Sequence, residues 1–100
     1  MRGSKAASYL GFARRAGKLT LGVNAVETIK KCYLLVADES VSQNSRKKIE
    51  KLREKLGCPL VMCDGLGDMV GKPGCKLAAV RDESLAKATE VAIGAKESEE

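Results

Sequence analysis

A three-layer α/β/α sandwich around a mixed sheet is the fold that this 100-residue sequence predicts. Two observations carry that reading. Short apolar runs of strand length, at residues 33–37, 60–63 and 76–80, alternate with segments whose apolar residues recur at helical spacing. Within the runs, apolar residues are consecutive instead of alternating, the pattern of parallel strands buried beneath helices on both faces. A chain of this length fills one compact domain, assigned to residues 1–95.

The elements follow in order. Ser4 is placed to cap a first helix over residues 4–16, with Ala6, Tyr9, Leu10 and Ala13 on one face and Gly17 as its stop. Residues 18–21 read as a short extended segment. A second helix is expected over residues 23–31, turning Ala25, Val26, Ile29 and Cys32 inward. After the strand at 33–37, Asn44 or Ser45 caps the clearest helix of the chain. There Ile49, Leu52 and Leu56 stand at i, i+3 and i+7 among Lys, Arg and Glu. Gly57 ends that helix and Pro59 prevents its return. Residues 33–63 therefore form a right-handed βαβ crossover. Residues 66–70 read as a short helix, and Asp82 or Ser84 opens a last one reaching residue 93. Residues 96–100 carry a net −2 and read as a solvated, disordered tail.

Charge is unevenly spread. The chain has 18 Lys and Arg against 13 Asp and Glu, a net +5. Seven of those cations (Arg2, Lys5, Arg14, Arg15, Lys18, Lys30 and Lys31) fall in the first 31 residues, against the single acid Glu27. Gly22-Val23-Asn24 opens the second helix within this stretch. A basic surface beside a glycine-led helix start is a place where phosphates dock, by Coulomb attraction and through backbone N–H groups. The N-terminal third is thus read as facing RNA. The other basic run, Arg46, Lys47, Lys48, Lys51, Arg53 and Lys55, is interleaved with Glu50 and Glu54 at spacings that allow i,i+4 pairs. It reads as a solvated helix face. No apolar stretch approaches membrane-spanning length, and no signal-peptide core follows Arg2. A cytoplasmic protein with reduced cysteines is expected.

Enzyme chemistry finds little support. Histidine, the commonest general base and metal ligand, is absent. Cys32, Cys58, Cys63 and Cys75 form no C-x-x-C pair, and their spacing matches no common zinc site, so no metal and no cofactor is expected. They read as small core residues, with Cys75 the most exposed because it lies in a Gly-Lys-Pro-Gly-Cys-Lys loop. Residues 64–71 carry glycines at G-x-G-x-x-x-G, one residue too long for a dinucleotide fingerprint, and two aspartates that would repel a pyrophosphate. They read as a turn and a short helix.

Leu10-Gly11-Phe12-Ala13-Arg14-Arg15-Ala16-Gly17-Lys18 and Gly22-Val23-Asn24-Ala25-Val26 resemble the opening of the bacterial YlxQ-like proteins. These belong to the superfamily of ribosomal protein L-seven-Ae, whose archaeal and eukaryotic members bind RNA kink-turns. The resemblance continues through Leu34-Leu35-Val36-Ala37-Asp38, Cys58-Pro59-Leu60-Val61, Leu66-Gly67-Asp68-Met69-Val70-Gly71 and Leu77-Ala78-Ala79-Val80. It implies a four-stranded mixed sheet. It also implies a site in which a Gly-x-Asn-Glu-x-x-Lys segment reads sheared G·A pairs. Gly22 and Asn24 match that segment, whereas Ala25 replaces the Glu and Thr28 the Lys. Lys30 and Lys31 are offset by two and three residues, which on a helix is a different face. The second wall implied is the loop before the last strand, here Lys72, Pro73, Gly74 and Cys75, with Pro73-Gly74 forming a tight turn.

The sequence as a whole reads as a non-enzymatic, monomeric RNA-binding protein. Arg14, Arg15 and Lys18 hold backbone, Gly22 and Asn24 approach bases, and the partner is structured RNA with a kink or bulge, with the ribosome as one setting. The alternative is a protein-interaction module of the same fold that has lost base readout at Ala25 and Thr28.

Overall fold

A four-stranded mixed sheet in the order β1-β4-β2-β3 carries helices on both faces. The computed structural model describes residues 4–98. Arg2, residues 99 and 100, and the Ser4 side chain read as a cap lie outside the described set. In chain order the elements are α1 (Ser4–Arg15), β1 (Leu19–Leu21), α2 (Val23–Val26), β2 (Leu34–Asp38), α3 (Gln43–Leu56), β3 (Leu60–Cys63), α4 (Leu66–Val70), β4 (Leu77–Val80) and α5 (Glu83–Ser98).

The consecutive apolar runs are explained by two core layers. Leu34, Val36, Ala78 and Val80 point to one side, where they pack with Ala6, Leu10 and Ala13 of α1, Leu66 and Val70 of α4, and Ala86 and Ile93 of α5. Leu35, Ala37, Leu77 and Ala79 point to the other, against Val26 of α2 and Ile49 and Leu52 of α3. Successive strand residues face opposite ways, so a strand covered on both sides is apolar throughout.

Strand direction is mixed, as the sequence predicts. β2 and β3 are parallel, as the crossover requires, but β4 runs antiparallel to both β1 and β2. Residues 64–76, which include the five-residue α4, join β3 to β4 without crossing the sheet, so β4 starts beside the ends of β1 and β2.

Three boundaries differ. α2 stops at Val26, well before residue 31. The Thr28 and Ile29 N–H groups bond three residues back, to Ala25 and Val26, and the Thr28 hydroxyl also donates to the Ala25 carbonyl at 2.6 Å. This tight turn ends the α-helical ladder. α3 is capped at Ser42, two residues before Asn44 and three before Ser45, because the Ser42 hydroxyl accepts from Ser45 N–H. It ends as expected at Gly57, in the left-handed conformation (φ 64°). α5 opens at Asp82, whose carboxylate accepts from Leu85 N–H at 2.8 Å, and its backbone runs past residue 93 to Ser98.

Leu35 is fully buried on β2, facing α2 and α3. Leu35→Ala should destabilise the protein by about 2–5 kcal/mol, read as a lower denaturant midpoint at constant slope. A loss below about 1 kcal/mol would contradict the packing of this second layer.

Candidate nucleic-acid interface

The end of β1 and the start of β4 meet at one end of the sheet. Leu21 pairs with Ala78, and Gly22 N–H then donates to the Leu77 carbonyl at 2.8 Å. Gly22 has φ 94° and ψ 147°, backbone that is essentially confined to glycine. This kink turns the chain from β1 directly into α2. Asn24, in the first turn of α2, is exposed, and its amide has no partner among the described residues.

The loop before β4 arrives at the same end. Cys75 N–H donates to the Lys72 carbonyl at 3.1 Å, closing a four-residue turn with Pro73 and Gly74 at its centre. Gly74 has φ 82°, and proline followed by a positive-φ glycine is the signature of a type II turn. The turn is seated on α4. A Cβ on Gly67 would lie 3.0 Å from the Lys72 carbonyl oxygen and 3.1 Å from Gly74 N, a tight fit that would push the turn a few tenths of an ångström off α4. Lys72, Pro73 and Gly74 are exposed. Cys75 is not: it is 6% exposed, with its thiol donating to the Leu77 carbonyl. The expectation of an exposed Cys75 is corrected here, because the turn directs the chain inward at that residue.

Asp38, at the end of β2, ties this end of the molecule together. Its carboxylate accepts from the Ser40 hydroxyl and N–H, accepts from Leu66 N–H at the start of α4 at 2.9 Å, and lies 3.9 Å from the Lys76 ammonium. The Ser40 hydroxyl above all, then the two N–H groups and Lys76, hold the carboxyl at about 2, against the opposing effect of burial. Sequence reading assigned Asp38 no task. The signal was local: an aspartate two residues before a serine at the end of an apolar strand is a turn-forming pattern.

The remaining cations are dispersed. The Arg14 guanidinium donates to the Val70 carbonyl at the end of α4 and lies against Gly71, so it braces the 71–75 loop from the protein side. Arg15 folds back over the exposed Phe12 ring, 5.0 Å from its centroid. Lys18 precedes β1, about 13 Å of extended chain from Gly22. Its carbonyl accepts from Arg81 N–H, and the Arg81 guanidinium donates to the Gly17 carbonyl. Lys30 and Lys31 lie beyond α2, not on it, and Lys31 sits 5.2 Å from the Tyr33 ring. Tyr33 N–H bonds Val80, which places Lys31 at the Lys18 end of the sheet. Ala25 and Thr28 face each other through the hydroxyl bond that ends α2. The structure thus brings Gly22, Asn24, Ala25, Lys72, Pro73 and Gly74 to one end, with Arg14 behind them, and leaves Lys18 and Lys31 at the other.

All four cysteines are free and buried. Cys32 and Cys58 lie 3.2 Å apart, and burial pushes the Cys32 and Cys63 thiols up to about 12. Among the described residues, no three His, Cys, Asp or Glu side chains gather as a metal site, and no helix is long and apolar enough to cross a membrane.

Neither a family model nor a curated protein matches the sequence. Solved structures do match. A protein of unknown function from Bacillus halodurans superposes with a TM-score of 0.76 at 23% identity, covering 91% of this chain and 98% of that one. A 15.5kD RNA binding protein from Giardia lamblia superposes with a TM-score of 0.65 at 14% identity, covering 94% of this chain and 86% of that one. At these identities the likeness shows a shared fold, the four-stranded mixed sheet with its helices. The likeness spans nearly the whole chain.

The Asp38 network gives a pH dependence with a definite sign. Its folded pKa lies below the ordinary 3.8, so the carboxylate stabilises the fold above about pH 4. About 1–2 kcal/mol of stability should be lost as pH falls from 4 towards 2. Denaturant titrations across that range should show the loss in the parent chain and a flatter profile in Asp38→Asn. Identical profiles would sink the assignment.

Proposed function

We propose that this chain is a non-enzymatic RNA-binding protein that uses the end of the sheet formed by Gly22, Asn24 and the Lys72–Gly74 turn. One observation carries the reading: Gly22 N–H bonds the Leu77 carbonyl at 2.8 Å, so the start of α2 and the turn before β4 flank a single surface. Asn24 offers an acceptor and two donors to a base edge, and the exposed Pro73-Gly74 turn offers a second wall. RNA readers take specificity from unpaired or distorted bases, which such a two-walled end can receive. The Giardia protein of the same fold is described as RNA-binding, which favours the same partner class.

The finer reading is of a bacterial YlxQ-like protein that meets a kink or bulge in structured RNA, in the cytoplasm and in a ribosomal setting. Its support is the sequence resemblance at Gly22 and Asn24, together with the turn before β4. A second reading, a protein-interaction module, is favoured by Thr28, whose hydroxyl is spent on the Ala25 carbonyl. Ala25 also offers no side-chain hydrogen bond to a base.

A labelled kink-turn RNA, a version lacking its G·A pairs and a plain duplex, titrated at two salt concentrations, decide between these. Base readout predicts tighter binding to the kink-turn at both salts, and about 1–3 kcal/mol of that preference lost in Asn24→Ala. Equal, steeply salt-dependent binding to all three would leave phosphate attraction alone. No binding to any would end the RNA reading, and a partner retained in RNase-treated lysate would then support the interaction module.

A further inference from the structure

The basic residues of α3 do not form a uniform solvated face. Ile49 and Leu52 are buried against the sheet, and the Arg53 guanidinium pairs with Glu50 at 3.1 Å. Lys48, Lys51 and Lys55 stand at i, i+3 and i+7, one stripe along the helix, and all three are exposed. The Lys55 ammonium donates to the Glu27 carbonyl, 3.4 Å away, at the end of α2. That contact orients the stripe: it faces α2.

α2 and α3 lie on the same face of the sheet, and both start at the end where β1 and β2 stop. Lys51 is one helical turn before Lys55, and Asn24 is three residues before Glu27, so the two stand at nearly the same height above the sheet end. Lys48 lies about 4.5 Å further towards that end. α2 itself has no cation between Val23 and Val26. On the α2 side the facing acid is Glu27. On α3, Glu54 is three residues from Lys51 but makes no ion pair among the described residues. Three lysines in one stripe repel one another, and a polyanion laid beside α2 would relieve that repulsion.

We infer that Lys48, Lys51 and Lys55 form a phosphate-binding lane beside Asn24, which holds the sugar-phosphate backbone of the RNA whose bases meet α2. This rests on the RNA-binding reading above and extends its footprint across the face shared by α2 and α3. Compact ammonium groups on long stems suit a backbone whose phosphates vary in position.

The test compares two variants that each remove three charges from α3. Lys48→Gln with Lys51→Gln and Lys55→Gln clears the lane. Arg46→Gln with Lys47→Gln and Arg53→Gln clears the outer and opposite sides. Binding of a kink-turn RNA with long flanking duplexes is measured from low to moderate salt, after circular dichroism has shown native helix content. The lane variant should bind at least about tenfold more weakly at low salt, and its log–log salt slope should flatten by about two to three. The other variant should change both much less. An unchanged slope in the lane variant, or equal flattening in both, overturns the lane. If the lane triple variant fails to fold, Lys51→Gln alone decides, with a slope change of about one supporting the lane and none overturning it. Failure of the parent chain to bind RNA at any salt sinks the underlying reading instead, and that outcome is seen without any variant.

Discussion

The position of β4 between β1 and β2, antiparallel to both, is the constraint from which the geometry of this molecule follows. It brings the start of β4 beside the last residue of β1, so Gly22 can bond the Leu77 carbonyl. Two segments some fifty residues apart in sequence thereby become the two walls of one surface. Were β4 parallel to β2, it would enter from the other end. The Pro73-Gly74 turn would then lie with Lys18 and Lys31, away from Asn24.

Holding that surface in place falls to groups bonded within the protein. Asp38 links the end of β2, the first N–H of α4 and Lys76, and this one carboxylate orients three connections at once. Arg14 does comparable work from α1, through the carbonyl that ends α4. Gly67 lets the turn settle on the α4 backbone. The arrangement separates support from contact: the charged groups Asp38 and Arg14 are occupied within the protein, while Asn24 and Lys72 face outward. Arg14, read from sequence as a phosphate ligand, is exposed and also braces the end of α4. Its long stem and planar fork suit it to capping a helix-end carbonyl.

The overall charge of +5 has a finer grain than the sequence suggests. The N-terminal cluster is dense along the chain, yet folding sends its members to different ends of the sheet. The α3 run looks diluted by acids along the chain, yet folding sorts it by helix face. Glu50 goes with Arg53 on one side, and three lysines line the side towards α2. Linear charge density is a poor guide to surface potential wherever an element turns through 100° per residue or the chain reverses.

Local patterns were sufficient for the layers, the helix stop at Gly57, the short α4 and the turn at Pro73-Gly74. Each depends on a few adjacent residues: apolar runs, a left-handed glycine, a proline ahead of a glycine. The opening of α2 at Gly22 could also be read, because a glycine at the end of a short extended segment marks a turn of the chain. The direction of β4, the early end of α2, the burial of Cys75 and the task of Asp38 were not readable in this way. Each depends on contacts between segments distant in sequence or on competition between hydrogen bonds. By itself the sequence determined which segments are strands and helices and which face of each is apolar, since propensity and periodicity are properties of neighbouring residues. Only the tertiary structure decided which segments share an end of the sheet with Asn24, because that follows from strand direction and helix facing, which no stretch of the chain encodes alone.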